Sequence, residues 1–383
     1  MPPTDTALAT AQPARVLVTG GAGFVGSNLA LAIKRQWPSC EVVAFDNLRR
    51  RGSELNVPRL QEAEVRFHHG DVRNASDLME VGYVDAIVEC SAEPSVLAGV
   101  ENGPASARFL VDTNLFGAIN CVEFARTNHA TVIFISTSRV YPYTLLADLN
   151  YQESPTRFVL SDEQPYPGAS ARGIDETFPL DGARTLYGAT KLAAEHLVAE
   201  YSAMYGLEAV INRCGVVAGP WQFGRVDQGF LTYWLLAHYF GAPLKYLGFG
   251  GSGKQVRDVL HVDDLADLVL DQLARPSFWS GRIVNVGGGL RSSVSLCELT
   301  EICRELTGNS VEIVASEQER PGDIPIYISN CARLEALASW QPRHTPRSIA
   351  ASILEWIEEN ERELCRMFLA NGVLSGQRLE CAR

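Results

Sequence analysis

A glycine-rich turn directly after a short apolar strand is the feature that most constrains what this chain can fold into. Residues 16–26 read VLVTGGAGFVG. Glycines at this spacing permit a tight turn, let the backbone approach a pyrophosphate and allow a helix to pack closely on the strand. The free N–H groups and the positive dipole end of that helix would then face the phosphates. The residues predicted to form this part of a dinucleotide site are Gly20, Gly23, Phe24, Val25 and Gly26.

An acidic residue follows the turn at the distance expected of a ribose ligand. Asp46 ends the next apolar run, EVVAFD, about 20 residues after the last glycine. A carboxylate there accepts hydrogen bonds from both adenosine ribose hydroxyls and repels the 2′-phosphate of NADP, which favours NAD. The arginine run at 49–51 leaves NADP as the alternative, because guanidinium groups bind phosphate. The adenosine end of the site is predicted to be completed by Asn47, Asp71 and Val72.

The order of apolar and helix-like segments predicts the fold class. Short apolar runs alternate with helical stretches through the first two-thirds of the chain, as in a parallel sheet covered on both faces. We therefore predict an α/β fold: a doubly wound parallel sheet of the Rossmann type with a smaller mixed α/β C-terminal lobe that binds substrate. The predicted divisions are a disordered tail at 1–13, an NAD-binding domain at 14–215, a substrate lobe at 216–365 with some chain crossing between lobes, and a C-terminal tail at 366–383.

Composition and charge exclude several classes of protein. Of 383 residues 46% are apolar, enough for a sizeable core, and the net charge of −12 argues against nucleic-acid binding, which depends on neutralising phosphates. No apolar run reaches the roughly 18–20 residues of a membrane span, and the N-terminus lacks the pattern of a signal peptide. Nine cysteines are scattered without CxxC pairs or Cys/His clusters at metal spacing, so we expect no metal site and a reducing, cytoplasmic setting.

A second motif, YGATK at 187–191, predicts proton-transfer chemistry. Residues four apart on a helix share a face, so the ammonium of Lys191 would lie near the phenol of Tyr187 and lower its pKa from about 10. Tyr187 is then a candidate general base for a substrate hydroxyl, and both side chains would also contact the cofactor. Ser136 and Thr137 end another apolar run and would hold the reacting oxygen, with strand-end capping as their alternative role.

Together these motifs resemble the extended short-chain dehydrogenase/reductase family. The resemblance covers roughly residues 14–360 and rests on TGGAGFVG, FDNL, HGDVRN, DTNLFGAIN, STSRVY, YGATK, KQVRDVLHVDD, NVGGG and ERPGD. It implies tightly bound NAD, a nucleotide-sugar substrate, and a catalytic trio of Thr137, Tyr187 and Lys191 with Ser136 beside it.

The resemblance also implies roles outside the glycine turn and the catalytic helix. Asn114, in DTNLFGAIN, would contribute to the cofactor site, while Arg257 and Arg320 would contact the nucleotide diphosphate, since forked donors suit phosphate oxygens. A surface or helix-capping position is the alternative for each arginine. One departure concerns the HxAA pattern that commonly follows the fourth strand of the family: residues 89–92 read ECSA here, which puts the cofactor wall in doubt.

The residues after Thr137 distinguish between reactions of the family. Sugar 4,6-dehydratases carry an Asp-Glu pair there, whereas this chain has Ser138 and Arg139, which leaves redox chemistry without elimination. The chain is most similar to the subgroup of CDP-paratose 2-epimerases, on FDNLRRRGSELN, GIDETFPLDGARTLYGATK and DQGFLTYWL. That similarity implies inversion at carbon 2 through a transient keto sugar, giving CDP-tyvelose. Inversion at carbon 4 of a UDP- or GDP-hexose is one alternative, and a non-catalytic NAD-sensing or RNA-binding relative is another.

Two predicted helices carry more apolar surface than one sheet face needs. They cover residues 105–127 and 186–205, and their apolar side chains spread over more than one face. The family resemblance implies a homodimer built on a four-helix contact of such helices. A larger core is the alternative.

Overall fold

The structure is a computed structural model that describes residues 12–95, 104–223, 229–318 and 322–370. Its strands are β1 (Arg15–Thr19), β2 (Glu41–Asp46), β3 (Arg66–His69), β4 (Ala86–Glu89), β5 (Thr131–Thr137), β6 (Tyr151–Glu153), β7 (Phe158–Leu160), β8 (Ala169–Ser170), β9 (Gly173–Ile174), β10 (Ala209–Cys214), β11 (Val216–Ala218), β12 (Leu244–Leu247), β13 (Val256–His261), β14 (Arg282–Val286), β15 (Ser293–Ser295), β16 (Ile313–Ser316) and β17 (Ile326–Tyr327).

The α-helices of the described residues are α1 (Phe24–Gln36), α2 (Asn56–Glu62), α3 (Ala75–Met79), α4 (Pro104–Val111), α5 (Gly117–Asn128), α6 (Tyr143–Ala147), α7 (Leu186–Tyr205), α8 (Phe230–Phe240), α9 (Val262–Ala274), α10 (Pro276–Trp279), α11 (Leu296–Thr307), α12 (Ala332–Ala338), α13 (Pro346–Glu359) and α14 (Glu361–Ala370). A π-helical turn, Asp112–Phe116, joins α4 to α5, and a short 3-10 turn, Ser138–Val140, follows β5.

Seven parallel strands form the central sheet, in the order β14-β10-β5-β4-β1-β2-β3. Val16, Leu17 and Val18 of β1 are fully buried, as expected of a strand covered by helices on both faces. One face packs on α1 and α9, and the other packs on α5 and α7. The strand order reverses between β1 and β4, and a doubly wound sheet binds ligands in the crevice at this point. The predicted fold class is confirmed by this topology.

Residues beyond 215 contribute to both parts of the molecule. β14 joins the central sheet beside β10, while β13 pairs with β11, β15 and β17 in a second, smaller sheet. Helices α8, α11 and α13 pack together in the apolar cluster of this C-terminal lobe. The last described helix, α14, continues to Ala370, into the predicted C-terminal tail at 366–383. Of the predicted N-terminal tail, residues 1–11 lie outside the described residues.

The polar stretch at 142–183 forms α6 and two hairpins, β6–β7 and β8–β9. Its few apolar side chains, such as Phe178, are buried in a cluster with Tyr141 and Tyr327. The Ile174 N–H donates to the Ile328 carbonyl at 2.8 Å, which ties the segment to the C-terminal lobe. The strands of this segment are only two or three residues long, too short to show a periodic pattern of apolar residues in the sequence.

Three further properties concern the described residues alone. None of their helices is both long and apolar enough to cross a membrane. Their His, Cys, Asp and Glu side chains form no cluster of three or more that would hold a metal ion. Seven of their cysteines are free thiols, whereas Cys365 is disulfide-bonded.

Candidate active site

The glycine turn brings the start of α1 directly against the end of β1. Gly20 has a φ of +62°, a left-handed conformation that favours glycine. A Cβ atom on Gly26 would lie 2.2 Å from the Gly20 carbonyl oxygen, so no larger residue fits between helix and turn. Phe24 and Val25 form the first turn of α1, whose N–H groups lack partners within the helix. This is the close backbone approach that a pyrophosphate requires.

Asp46 is held at the crevice by backbone hydrogen bonds. Its Oδ2 accepts from the Ala22 N–H at 3.2 Å, and its Oδ1 accepts from the Leu48 N–H at 2.8 Å. Burial raises the pKa of Asp46 above its ordinary value, although these amide bonds oppose the change. Each oxygen keeps a lone pair for a ribose hydroxyl, as the sequence predicts.

Asn47, Asp71 and Val72 border the same cleft. The Asn47 amide donates to Asp71 Oδ2 at 2.9 Å, and Arg73 pairs with the same carboxylate at 2.5 Å. Burial would raise the pKa of Asp71, but its bonds with Arg73 and Asn47 lower it to about 2. The cleft has about 260 Å³ of space, and its lining includes Gly20, Asp46, Asn47 and Val72. A bare backbone turn, an anchored carboxylate and this cleft fit NAD.

Asn114 lies in the π-helical turn and is 1% exposed. Its Oδ1 accepts from the Glu93 N–H at 2.7 Å, and its Nδ2 donates to the Glu93 carbonyl at 3.1 Å. Nδ2 also lies 3.4 Å from the Thr190 hydroxyl on α7. Asn114 therefore connects the segment after β4 to α7, and its predicted role in the cofactor site stays a prediction.

Lys191 forms a buried ion pair that the sequence did not predict. Its Nζ lies 3.3 Å from Glu89 Oε2, and both residues are 1% exposed. The ammonium also sits 4.2 Å from the centre of the Phe134 ring. Glu89 stands where the family pattern begins with His, and a charged residue at the end of a buried strand was the only signal for it. Because Glu89 compensates the ammonium, Lys191 lowers the Tyr187 pKa less than an isolated cation would.

Tyr187 lies in the first turn of α7, which begins at Leu186 after the cap of Thr185. Burial raises the pKa of the Tyr187 phenol, while Lys191, a hydrogen bond with Thr137 and the charge of Arg139 each lower it. The effect predicted for Lys191 has the right direction, but the expected net decrease is wrong for this structure because burial outweighs the cations. Thr137 and Tyr187 are in contact, and the predicted base and its hydroxyl partner are therefore brought together.

Ser136 and Thr137 point to different surroundings although they are neighbours on β5. The Ser136 hydroxyl donates to Glu195 Oε1 at 2.5 Å, and Glu195 pairs with Arg213 at 2.7 Å. Thr137 instead caps the following 3-10 turn by accepting from the Arg139 N–H at 3.2 Å. The Ser136 hydroxyl is thus engaged by a buried network and does not cap the strand end, and its predicted role in holding the reacting oxygen stays a prediction.

Of the two arginines predicted to contact the diphosphate, Arg257 lies within the described residues and is held by several hydrogen bonds. Arg257 donates to Asp323 Oδ1 at 2.7 Å and to the Val256 and Ile324 carbonyls at 2.8 Å. Burial and the nearby Arg139 lower the pKa of Arg257 to about 10, although Asp323 opposes this. Arg320 lies outside the described residues. Arg139 lines the same pocket as Arg257. The sequence indicated only that it stands where sugar 4,6-dehydratases carry an acidic residue, and predicted no role for it in binding.

Comparison with known proteins agrees with this geometry. Residues 16–287 match the family described as "NAD dependent epimerase/dehydratase family". The chain is 28% identical over 350 residues to CDP-paratose 2-epimerase of Salmonella typhi, covering 89% of this chain and 98% of that one. It is 27% identical to dTDP-glucose 4,6-dehydratase of Mycolicibacterium smegmatis, covering 91% and 94%. The structure of the UDP-glucose 4-epimerase of Thermus thermophilus in complex with NAD has a TM-score of 0.69 and 26% identity, covering 89% and 98%.

The chain belongs to the NAD-dependent epimerase/dehydratase family. It is therefore an enzyme that uses NAD, and the expected nucleotide-sugar chemistry and the isomerase class fit its relatives. The family resemblance inferred from the motifs is confirmed.

Proposed function

We propose that this enzyme inverts one hydroxyl-bearing carbon of a nucleotide sugar without net oxidation. The observation that carries the proposal is the composition of the site around Tyr187. Thr137 and Lys191 lie on either side of a single proton-transferring phenol. Ser138 and Arg139, the two residues directly after Thr137, provide neither the acid nor the base that elimination of water needs. A site with one base suits removal and return of the same proton.

The roles of the side chains follow from their surroundings. Tyr187, as phenolate, takes the proton from the sugar hydroxyl, and the Thr137 hydroxyl holds the oxygen in place. Lys191 stabilises the phenolate, while Glu89 keeps the buried ammonium in position. NAD, when bound, supplies an acceptor for the hydride of that carbon and then its donor. The keto sugar presents its opposite face before reduction, and Tyr187 returns the proton to the new hydroxyl.

The proposed substrate is CDP-paratose and the proposed product is CDP-tyvelose, by inversion at carbon 2. Support comes from the similarity to the Salmonella typhi CDP-paratose 2-epimerase over nearly the whole of both chains. The alternative, inversion at carbon 4 of a UDP-hexose, is supported by the likeness to a UDP-glucose 4-epimerase. We place the reaction in the cytoplasm because seven of the eight described cysteines are free thiols; the disulfide of Cys365 is the exception.

Isotope labelling tests the reaction. We expect the NAD-loaded enzyme, incubated with CDP-paratose in heavy water, to form CDP-tyvelose that carries no solvent deuterium at carbon 2, because the hydride stays within the site. Mass spectrometry and NMR of the product measure this. UDP-glucose and GDP-mannose are the matched substrates. Turnover of UDP-glucose without turnover of CDP-paratose would favour inversion at carbon 4 over inversion at carbon 2. Deuterium at carbon 2 of the product would contradict the mechanism.

We further propose a homodimer formed by the α4–α5 segment and α7. Phe116 is 47% exposed, Leu186 39%, Met204 69% and Tyr205 56%, so these helices present apolar side chains away from the sheet. We expect sedimentation to give twice the chain mass, and Phe116→Glu with Met204→Glu to give monomers because a charge is costly to bury. Met79→Glu, at a residue 70% exposed on α3, is the control. A monomeric wild type would contradict the proposal.

A further inference from the structure

Arg139 is fixed beside the catalytic residues by its backbone. It lies in the 3-10 turn that Thr137 caps, two residues after Thr137 itself. A Cβ atom on Gly188 would lie 2.1 Å from the Arg139 carbonyl oxygen, so the turn packs directly on the helical residue after Tyr187. The charge of Arg139 is also felt by the Tyr187 phenol. The guanidinium therefore belongs to the immediate surroundings of the reacting hydroxyl.

The guanidinium of Arg139 differs from its neighbours in lacking an acceptor. It donates a hydrogen bond to no residue within the described ranges, although it is partly buried. In the same pocket, Arg184 donates to the Leu180 and Gly182 carbonyls, and Arg257 donates to Asp323 and two carbonyls. A forked donor without an acceptor in the protein is available to a ligand that supplies one.

The positive charge of Arg139 is also less well compensated than the charges of Arg257 and Lys191. Asp323 pairs with Arg257 at 2.7 Å, and Glu89 pairs with Lys191 at 3.3 Å. Asp323 is the carboxylate whose charge reaches Arg139, and it is already shared with Arg257. The pocket that Arg139 lines also contains Arg184 and Arg257, and none of its lining residues in the described ranges is acidic. An anion is the ligand that fits this positive charge.

The proposed reaction at carbon 2 places such an anion here. In a nucleotide sugar, carbon 2 is separated from the sugar-linked phosphorus by three bonds, through carbon 1 and the glycosidic oxygen. Carbon 4 lies across the ring, five bonds away. When the hydroxyl of carbon 2 contacts Tyr187, the sugar-linked phosphate must therefore lie close to the phenol. When the hydroxyl of carbon 4 does so, the phosphate lies on the far side of the ring.

We propose that Arg139 binds the sugar-linked phosphate of the substrate and thereby selects carbon 2 for inversion. The proposal rests on the proposed function and specifies how the same site orients its substrate. Arg257 would serve the diphosphate from the other side of the pocket. A cation at the place where dehydratases carry an acid then has two consequences: elimination lacks its proton donor, and the sugar is turned so that carbon 1 lies near Thr137.

Nucleotide binding tests the role of Arg139 without depending on turnover. Calorimetry would compare CDP, which has the second phosphate, with CMP, which lacks it, on the NAD-loaded wild type and Arg139→Met. We expect Arg139→Met to weaken CDP binding about 10- to 100-fold, because a charge-assisted hydrogen bond is lost, and to leave CMP binding unchanged. Arg139→Lys should recover part of the CDP affinity. Arg304→Met, which removes a guanidinium from an exposed pair with Glu301 and does not line this pocket, is the control. Thermal unfolding checks that each variant is folded.

Each other outcome has a definite meaning. Unchanged CDP binding in Arg139→Met, an equal loss for CDP and CMP, or an equal loss in Arg304→Met would overturn the assignment to Arg139. So would an altered Tyr187 titration with intact CDP binding, which would make Arg139 a cation for the phenolate alone. The proposed function fails separately: a wild type that binds none of CDP, UDP and GDP is not a nucleotide-sugar enzyme of this kind. The same set of variants tested with UDP and UMP covers a uridine substrate.

Discussion

Tyr187→Phe is expected to lower kcat about 1,000-fold while NAD binding and the melting temperature stay close to those of wild type. The substitution removes the phenolic oxygen and leaves the ring that fills the site, so the loss reports proton transfer and not packing. The phenol contacts Thr137 and feels the charges of Lys191 and Arg139, which no other tyrosine of the catalytic helix does. Initial-rate measurements with CDP-paratose determine kcat, and calorimetry determines the affinity for NAD.

A matched control is available on the same helix. Tyr205 is 56% exposed at the C-terminal end of α7, so Tyr205→Phe removes an equivalent oxygen far from the cleft and should leave kcat unchanged. Because only the phenolate accepts a proton and burial raises the Tyr187 pKa, kcat/KM of the wild type should rise with pH through the neutral range. Full turnover by Tyr187→Phe would indicate a different base and would end the proposed mechanism. Only trace turnover, equal in wild type and Tyr187→Phe, would favour a non-catalytic NAD-sensing relative.

The largest effect on stability is expected at Arg213. Its guanidinium pairs with Glu195 at 2.7 Å, and the two side chains are 5% and 2% exposed. Glu195 in turn holds the Ser136 hydroxyl, and Arg213 donates to the Tyr141 hydroxyl at 3.3 Å. Arg213→Met leaves the Glu195 carboxylate buried without its cation, which costs about 3–5 kcal/mol in the free energy of unfolding. Urea unfolding followed by circular dichroism measures this difference.

Two comparisons separate the loss of the ion pair from other causes. Arg304→Met removes a guanidinium from an exposed pair with Glu301, at 45% and 60% exposure, and should change stability by less than about 1 kcal/mol. The double change Arg213→Met with Glu195→Met removes both charges and should recover part of the loss, because no buried carboxylate remains unpaired. Equal effects of Arg213→Met and Arg304→Met would show that the buried pair contributes no more than a surface one.

Much of the site was predictable because its chemistry depends on residues close together in the chain. The glycine turn needs Gly20, Gly23 and Gly26 within seven positions, and Tyr187 and Lys191 share a helix face at a spacing of four. Asp46 follows from the βαβ connection, since the end of β2 must lie beside the turn that follows β1 in a parallel sheet. The alternation of strands and helices likewise indicated the doubly wound sheet without any tertiary information.

Other parts of the site depend on which elements become neighbours, and no local pattern carries that information. Glu89, at the end of β4, meets Lys191 because α7 packs on the sheet that contains β4, although 102 positions separate the two residues. The Ser136 hydroxyl is hydrogen-bonded to Glu195, whereas the Thr137 hydroxyl is hydrogen-bonded to Tyr187. The two neighbours differ because successive side chains of β5 point to opposite faces. Arg139 has no acceptor among the described residues, and Asp323, the carboxylate whose charge acts on it, pairs with Arg257.

The sequence by itself determined the fold class and the cofactor and predicted the proton-transferring pair, since each is encoded in a short motif whose geometry is set by one turn or one helix. Tertiary structure alone decided the charge balance around that pair: Glu89 compensates Lys191, burial raises the pKa of Tyr187, and Arg139 is left facing the substrate pocket. The physical reason is that burial and ion pairing depend on distances between elements, which chain packing sets and local spacing does not.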